Sequence, residues 1–150
     1  MKKFYGIIFV LSLVLGAVSF AADKGTPAEA EALVQKAIAF VKANGKDKAF
    51  AEFTNPKGQF VDRDLYIFVY DMNGKVLAHG QNAKMVGKDL LDLTDPSGKP
   101  FVKERIEIAK KSGKGWQTYK FSNPTTKKIE DKTAYIEKVA DFIIGSGAYK

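Results

Sequence analysis

Apolar residues at Ala30, Leu33, Val34, Ala37, Ile38 and Val41 recur with helical spacing behind Thr26-Pro27-Ala28-Glu29. That tetrad has the form of a capping box with proline at the first helical position. Asn44-Gly45 supplies the stop. The pattern predicts a long helix with one apolar stripe, so it lies on another layer. Asp47 predicts the cap of a short second helix with Phe50 and Phe53 inward, broken by Asn55-Pro56-Lys57-Gly58. Leu65–Tyr70 is apolar at every position, the mark of a strand covered on both sides. Asn73-Gly74 turns it back into residues 75–80 as a hairpin. Two registers fit. A two-residue Asn-Gly loop pairs Phe68 with His79 and puts His79 on the face of Tyr66 and Tyr70. A three-residue Met-Asn-Gly loop pairs Ile67 with His79 and moves it to the other face. The first is preferred.

Residues 85–100 read as irregular, with a turn at Asp95-Pro96-Ser97-Gly98. Residues 101–111 predict a helix with Phe101, Arg105, Ile108 and Ala109 near one side, closed by Gly113 and Gly115. Residues 116–121, 134–139 and 142–148 then predict three strands. The order is helix, hairpin, helix, strands, without β-α-β alternation. That order predicts an α+β fold with an antiparallel sheet.

The first residues change where the chain is expected to work. Met1-Lys2-Lys3 is basic, residues 4–18 are almost wholly apolar, and Ser19 and Ala21 are small. This is the layout of a secretory signal peptide cut after Ala21, leaving residues 22–150 as one domain. The expected location is periplasmic or secreted. No other stretch is long enough to span a bilayer, so the mature protein is expected to be free of a membrane anchor. The absence of cysteine excludes disulfides, an acylated N-terminus, thiolate zinc sites and c-type haem attachment. A single histidine excludes a histidine-rich metal site. Neither metal nor cofactor is expected.

The formal charge is +7, carried mostly by dispersed lysines, with Arg63 and Arg105 the only arginines. Arginine clusters are the better sign of nucleic-acid binding, so the charge reads as surface with a bias towards anionic ligands.

The candidate chemistry gathers in the last third of the chain. Gly115-Trp116-Gln117-Thr118-Tyr119, Asn123-Pro124 and Lys132-Thr133-Ala134-Tyr135 supply large amphipathic rings and one ammonium, and Ala78-His79-Gly80 carries the imidazole. A lysine at the rim of an aromatic pocket can donate a charge-assisted hydrogen bond. No Ser or Cys motif accompanies His79, and Asp92, Asp95, Glu104 and Glu107 match no EF-hand spacing. An enzyme is therefore not expected. Strict alternation places Trp116 and Tyr119 on opposite faces of their strand, and likewise Lys132 and Tyr135. Convergence of all four on one pocket requires a bulge, or positions just outside the strands.

Several pieces of the chain resemble a known family when taken in order. They are Asp64-Leu65-Tyr66-Ile67-Phe68-Val69, Asp71-Met72-Asn73-Gly74, Ala78-His79-Gly80 with Asn82, and Val86-Gly87-Lys88. Then follow Asp95-Pro96-Ser97-Gly98-Lys99, Gly115-Trp116 with Tyr119, Asn123-Pro124, Lys132 with Tyr135, and Gly145-Ser146-Gly147-Ala148-Tyr149. The set is similar to a single Cache domain of the second type, the extracytoplasmic sensor module of chemoreceptors and sensor kinases. The resemblance implies a PAS-like fold, with a long N-terminal helix on a central antiparallel sheet and a ligand pocket on the other face. It implies binding of a small organic anion such as a short carboxylate, without catalysis. Tyr66, His79, Trp116, Tyr119, Lys132 and Tyr135 stand at the motif positions carried over to the pocket, and Phe68 completes the expected ligand-binding set. Phe121 stands where the family often has tryptophan.

In receptors this domain is followed by a membrane helix and an output module, whereas this sequence ends at Lys150. The expectation is a stand-alone exported protein. Its bound form is read by a membrane receptor or kinase in trans, or its ligand is buffered or delivered. The alternative is an envelope interaction module of the same fold with a filled pocket.

Overall fold

A computed structural model describes residues 23–150. The expected leader and its cut after Ala21 lie outside them. The first helix, α1 (Pro27–Asn44), opens on the expected capping box. The Thr26 side chain accepts the Glu29 N–H at 3.2 Å, and the Thr26 N–H donates to Glu29 Oε2 at 2.8 Å. Two orphan amides of the first turn are satisfied in this way. Ala30, Val34, Ala37, Ile38 and Val41 form its buried stripe. The second helix, α2 (Lys46–Thr54), follows at once from Gly45, so Asp47 lies in its first turn rather than at its cap. Phe53 is fully buried, and Phe50 packs edge-on against Phe142 at 5.2 Å.

The strands are β1 (Val61–Asp62), β2 (Leu65–Tyr66), β3 (Phe68–Asp71), β4 (Val76–His79), β5 (Lys114–Ser122), β6 (Ile129–Val139) and β7 (Phe142–Tyr149). The apolar run at 65–70 is thus divided: β2 pairs with β1 in a two-stranded ribbon, and β3 enters the main sheet. That sheet has the antiparallel order β4-β3-β7-β6-β5. Its core strand β7 is buried at every position, which accounts for the unbroken apolar and small residues of that segment. A third helix, α3 (Phe101–Ser112), completes the α+β fold.

The 68–79 hairpin combines features of both expected registers. Asp71 N–H bonds to Lys75 C=O, so the loop has the three residues Met72-Asn73-Gly74. The expected two-residue loop is corrected on this point. Val69 pairs with Ala78 and Tyr70 with Val76, which leaves Leu77 unpaired as a β-bulge. The bulge shifts the register by one, restores the pairing of Phe68 with His79, and returns His79 to the face of Tyr66.

Each face of the sheet has its own cover. Val34, Ala37, Ile38, Val41, Phe53, Phe60, Ile67, Val69, Phe142 and Ile144 form the core under α1 and α2. Tyr66, Phe68, Tyr70, Phe101, Ile106, Tyr119, Ile143 and Tyr149 form the other core under α3. The open flank of β5 is clasped by the preceding loop. Asp95 Oδ2 accepts the Lys120 N–H at 2.9 Å, and Lys99 Nζ donates to the Thr118 carbonyl. Asp95 Oδ1 also accepts the N–H groups of Ser97 and Lys99, at 2.9 and 3.0 Å. Burial alone would raise the Asp95 carboxyl. The hydrogen bonds from Ser97, Lys120 and Lys99 outweigh it and hold the group well below the usual carboxylate range.

A candidate anion site on the face away from the long helix

The pairing of β5 with β6 decides which expected residues meet. Trp116 is opposite Tyr135, and Tyr119 is opposite Lys132. These are three positions apart on each strand, so the two pairs lie on opposite faces. The Trp116 and Tyr135 rings are 5.2 Å apart on the α1 side. Trp116 is 43% exposed there, while the Tyr135 hydroxyl donates to Glu137 Oε2 at 2.9 Å. Gln35 of α1 donates to the same oxygen at 2.7 Å. The expected convergence of all seven residues is therefore corrected. β5 and β6 pair without a bulge over this stretch, and alternation sends Trp116 and Tyr135 to the helix-covered side.

Tyr66, Phe68, His79, Tyr119 and Lys132 share the other face. Their centre is Lys132, a fully buried lysine. Its Nζ lies 4.0 Å from the Tyr66 ring centroid, 4.7 Å from that of Tyr149 and 5.5 Å from that of Phe68. It donates to the Tyr149 hydroxyl at 3.4 Å, and that hydroxyl donates to the Ser122 carbonyl at 2.8 Å. Two glycines of β7 make room for this arrangement. A Cβ on Gly147 would stand 2.7 Å from Lys132 Cε, and one on Gly145 would stand 2.3 Å from the Phe68 ring. The Gly145-Ser146-Gly147 sequence is thus the bed on which the lysine and the ring lie.

A second buried cation, Arg105, projects from α3 onto the same face. Its guanidinium carbon is 4.2 Å from the Phe68 ring centroid and 4.7 Å from that of Tyr70, with Phe101 and Tyr119 each at 5.5 Å. Nε donates to Gln117 Oε1 at 2.9 Å, while Nη2 has no partner. Among the described residues, neither Lys132 nor Arg105 forms an ion pair with a carboxylate. Burial, reinforced by the Arg105 charge, pushes the Lys132 ammonium well below its usual range, and Asp64 opposes this through space. Sequence reasoning did not nominate Arg105 for the site. Its signal was present, as a charged residue on the inner side of a helix beside Phe101 and Ala109.

A cavity of about 260 Å³ adjoins this cluster. Tyr66, His79, Gln81, Asn82, Met85 and Phe121 are among its walls. The Lys132 ammonium lies next to two of the lining rings, those of Tyr66 and Phe121 (4.0 and 5.7 Å). His79 Nδ1 accepts the backbone N–H groups of Asn82 and Gln81, at 3.1 and 3.3 Å. The proton of the neutral ring therefore sits on Nε2, as a donor. Burial, then the Lys132 and Arg105 charges, push His79 down to about 3. The unfolded chain protonates this ring near pH 6.5, so folding stability is lost as pH falls from there towards 3. The expected loss from this residue reaches about 4 kcal/mol at the acid end. Thermal unfolding followed from pH 7 to 4 should show it, and His79→Asn should flatten the slope.

The model of the single Cache domain 2 family matches residues 14–150. The sensor histidine kinase MctS of Rhizobium johnstonii is 36% identical over 89 residues, covering 58% of this chain and 19% of the kinase. The methyl-accepting chemotaxis protein McpP of Pseudomonas putida is 32% identical over 90 residues, covering 59% of this chain and 16% of the receptor. The chain thus matches a minor part of each relative's length. A crystal structure of a methyl-accepting chemotaxis protein from Vibrio parahaemolyticus superposes with a TM-score of 0.70 at 26% identity, covering 81% of this chain and 86% of that one. A Cache chemosensory domain, solved to explain its recognition of carboxylic acids, shares the fold with a TM-score of 0.69 at 23% identity, covering 81% of this chain and 91% of that one. Among the described residues no helix is long and apolar enough to cross a membrane. On the match over residues 14–150, and with the sheet and its two covers as described, the chain belongs to the single Cache domain 2 family of sensor modules.

Proposed function

We propose that this protein is an extracytoplasmic receptor domain that binds a short organic carboxylate between its sheet and the loops around His79. The observation that carries this reading is Lys132, a buried cation with no carboxylate in contact, lying against the Tyr66 and Phe121 rings that line the cavity; Arg105 is a second buried cation on the same face of the sheet, with Nη2 left without a partner. Buried charges are normally paired, because removing them from water costs several kcal/mol each. A carboxylate passing Tyr66 and Phe121 reaches the Lys132 ammonium, while His79 Nε2–H offers a further hydrogen bond. The aromatic walls accept a short alkyl tail. Two sources of support lie outside the site: the sensor kinase and chemoreceptor relatives, and the carboxylic-acid-recognising Cache domain of the same fold. Readout of the bound state by a membrane receptor or kinase belongs to the same proposal.

Ligand size bounds the affinity. About four to six heavy atoms at ~1.5 kcal/mol each give roughly −6 to −9 kcal/mol, so micromolar binding is the realistic optimum. The test is a thermal-shift screen of short mono- and dicarboxylates against their neutral amides. A true ligand at about a hundredfold its Kd adds ~2.7 kcal/mol of stability, a shift of several degrees. The amides should do nothing. Folded protein that responds to no carboxylate overturns the reading. In a ligand-free interaction module of the same fold the burial cost of Lys132 would be met only by the field of Asp64 and by the lysine's lowered pKa, with no carboxylate in contact.

A further inference from the structure

Gln117 is a buried amide on β5, 3% exposed, and both of its ends are used. Its Nε2 donates to the Phe101 carbonyl at the start of α3 at 3.0 Å, and its Oε1 accepts from Arg105 Nε at 2.9 Å. A carbonyl can only accept, so Phe101 fixes which end of the amide turns towards it. The oxygen is left for the guanidinium. One edge of Arg105 is thereby held, while Nη2 stays buried without a partner. The flat group is enclosed by Phe68, Tyr70, Phe101 and Tyr119 and has little freedom to reorient.

We infer that Gln117 is a positioning residue of the anion site: it orients Arg105 through a neutral acceptor and leaves the cation's charge free for the ligand. This rests on the carboxylate-binding reading above. The side-chain type is what matters. Glutamate has nearly the same shape as glutamine and would also accept from Nε. It would neutralise Arg105 internally, however, and would set a second oxygen against the Phe101 carbonyl. An apolar residue of similar volume would leave Arg105 with no orienting acceptor. Of these side chains, the amide alone both steers the guanidinium and spares its charge.

The test measures affinity by calorimetry for the tightest binder in a panel of acetate, propionate, pyruvate and succinate. The proteins are wild type, Gln117→Glu, Arg105→Met and the double variant. Gln117→Glu and Arg105→Met should each weaken binding at least tenfold, and the double variant should bind no worse than Arg105→Met alone. That non-additivity is the signature of a residue acting through Arg105, which a merely structural role would not produce. Should Gln117→Glu fail to fold, Gln117→Met replaces it, with a smaller loss expected and the same lack of further loss beside Arg105→Met. Wild-type affinity in Gln117→Glu, or losses that add, overturns the inference while carboxylate binding stands. A wild-type protein that binds none of the four removes the underlying reading and this inference with it.

Discussion

Lys132→Met is expected to raise the melting temperature of the ligand-free protein and to abolish its response to carboxylates. The two effects have one cause. Lys132 is fully buried and has no anionic partner in contact, and burial depresses its pKa. The ring faces of Tyr66 and Tyr149 and the Tyr149 hydroxyl return part of the lost hydration. The nearby Arg105 charge adds to the cost of burial, and the Asp64 charge offsets part of it. Methionine keeps the length and volume and deletes the charge. A gain of roughly 1–3 kcal/mol is the scale for replacing buried ionic groups with packed apolar ones, equivalent to several degrees. The pH dependence supplies an internal check. A lysine with a depressed folded-state pKa stabilises least below its unfolded value near 10.5, and its penalty disappears as pH rises through that value. The advantage of the variant should therefore shrink between pH 8 and 10.5. Calorimetric scans with and without carboxylate decide it. A variant less stable than wild type at pH 7 would mean that the rings fully compensate the charge.

The second large effect is expected from a single methyl group. Gly147→Ala places a Cβ 2.7 Å from Lys132 Cε, 2.9 Å from Ala134 Cβ and 2.9 Å from the Thr133 carbonyl. The lysine can bend away, but the last two belong to the neighbouring strand and cannot. Overpacking of this kind costs about 1–3 kcal/mol. It also lifts the ammonium off the sheet, so carboxylate affinity should fall by about tenfold or more. Pairing it with Lys132→Ala separates the two contributions. The double variant should regain part of the stability, because one clash is gone, and none of the binding. If Gly147→Ala alone binds and melts like wild type, the glycine bed has no role in placing the cation.

Much of this architecture was legible in advance because its determinants are local. The capping box at Thr26–Glu29, the stop at Gly45 and the β5 and β7 segments each carry their signal within a few residues, whereas β6 begins at Ile129 and not at the expected residue 134, so that Lys132 lies within the strand. Alternation along β5 and β6 already stated that Trp116 and Tyr119 part company, and the structure follows that rule rather than the expectation of a common pocket. What was not legible depends on distant partners. The bulge at Leu77 has no marker in sequence, and it reconciles a three-residue turn with the Phe68–His79 pairing. Arg105 reads as an ordinary helix charge until rings from β3, β5 and α3 itself close around it. Gln117 gains meaning only when Phe101 and Arg105 are seen at its two ends.

The clasp on β5 has a consequence for how the molecule behaves in a crowded, acidifying environment. An unpaired strand border invites a foreign strand to continue the sheet, the first step towards fibrous aggregates. Here the Thr118 carbonyl and the Lys120 amide are already taken by Lys99 and Asp95. The Asp95 carboxyl keeps its charge in acid where an ordinary aspartate would lose it. The border is therefore held through the pH range in which an ordinary aspartate would lose its charge, a protection against self-assembly set by the clasping loop and not by the ligand cavity.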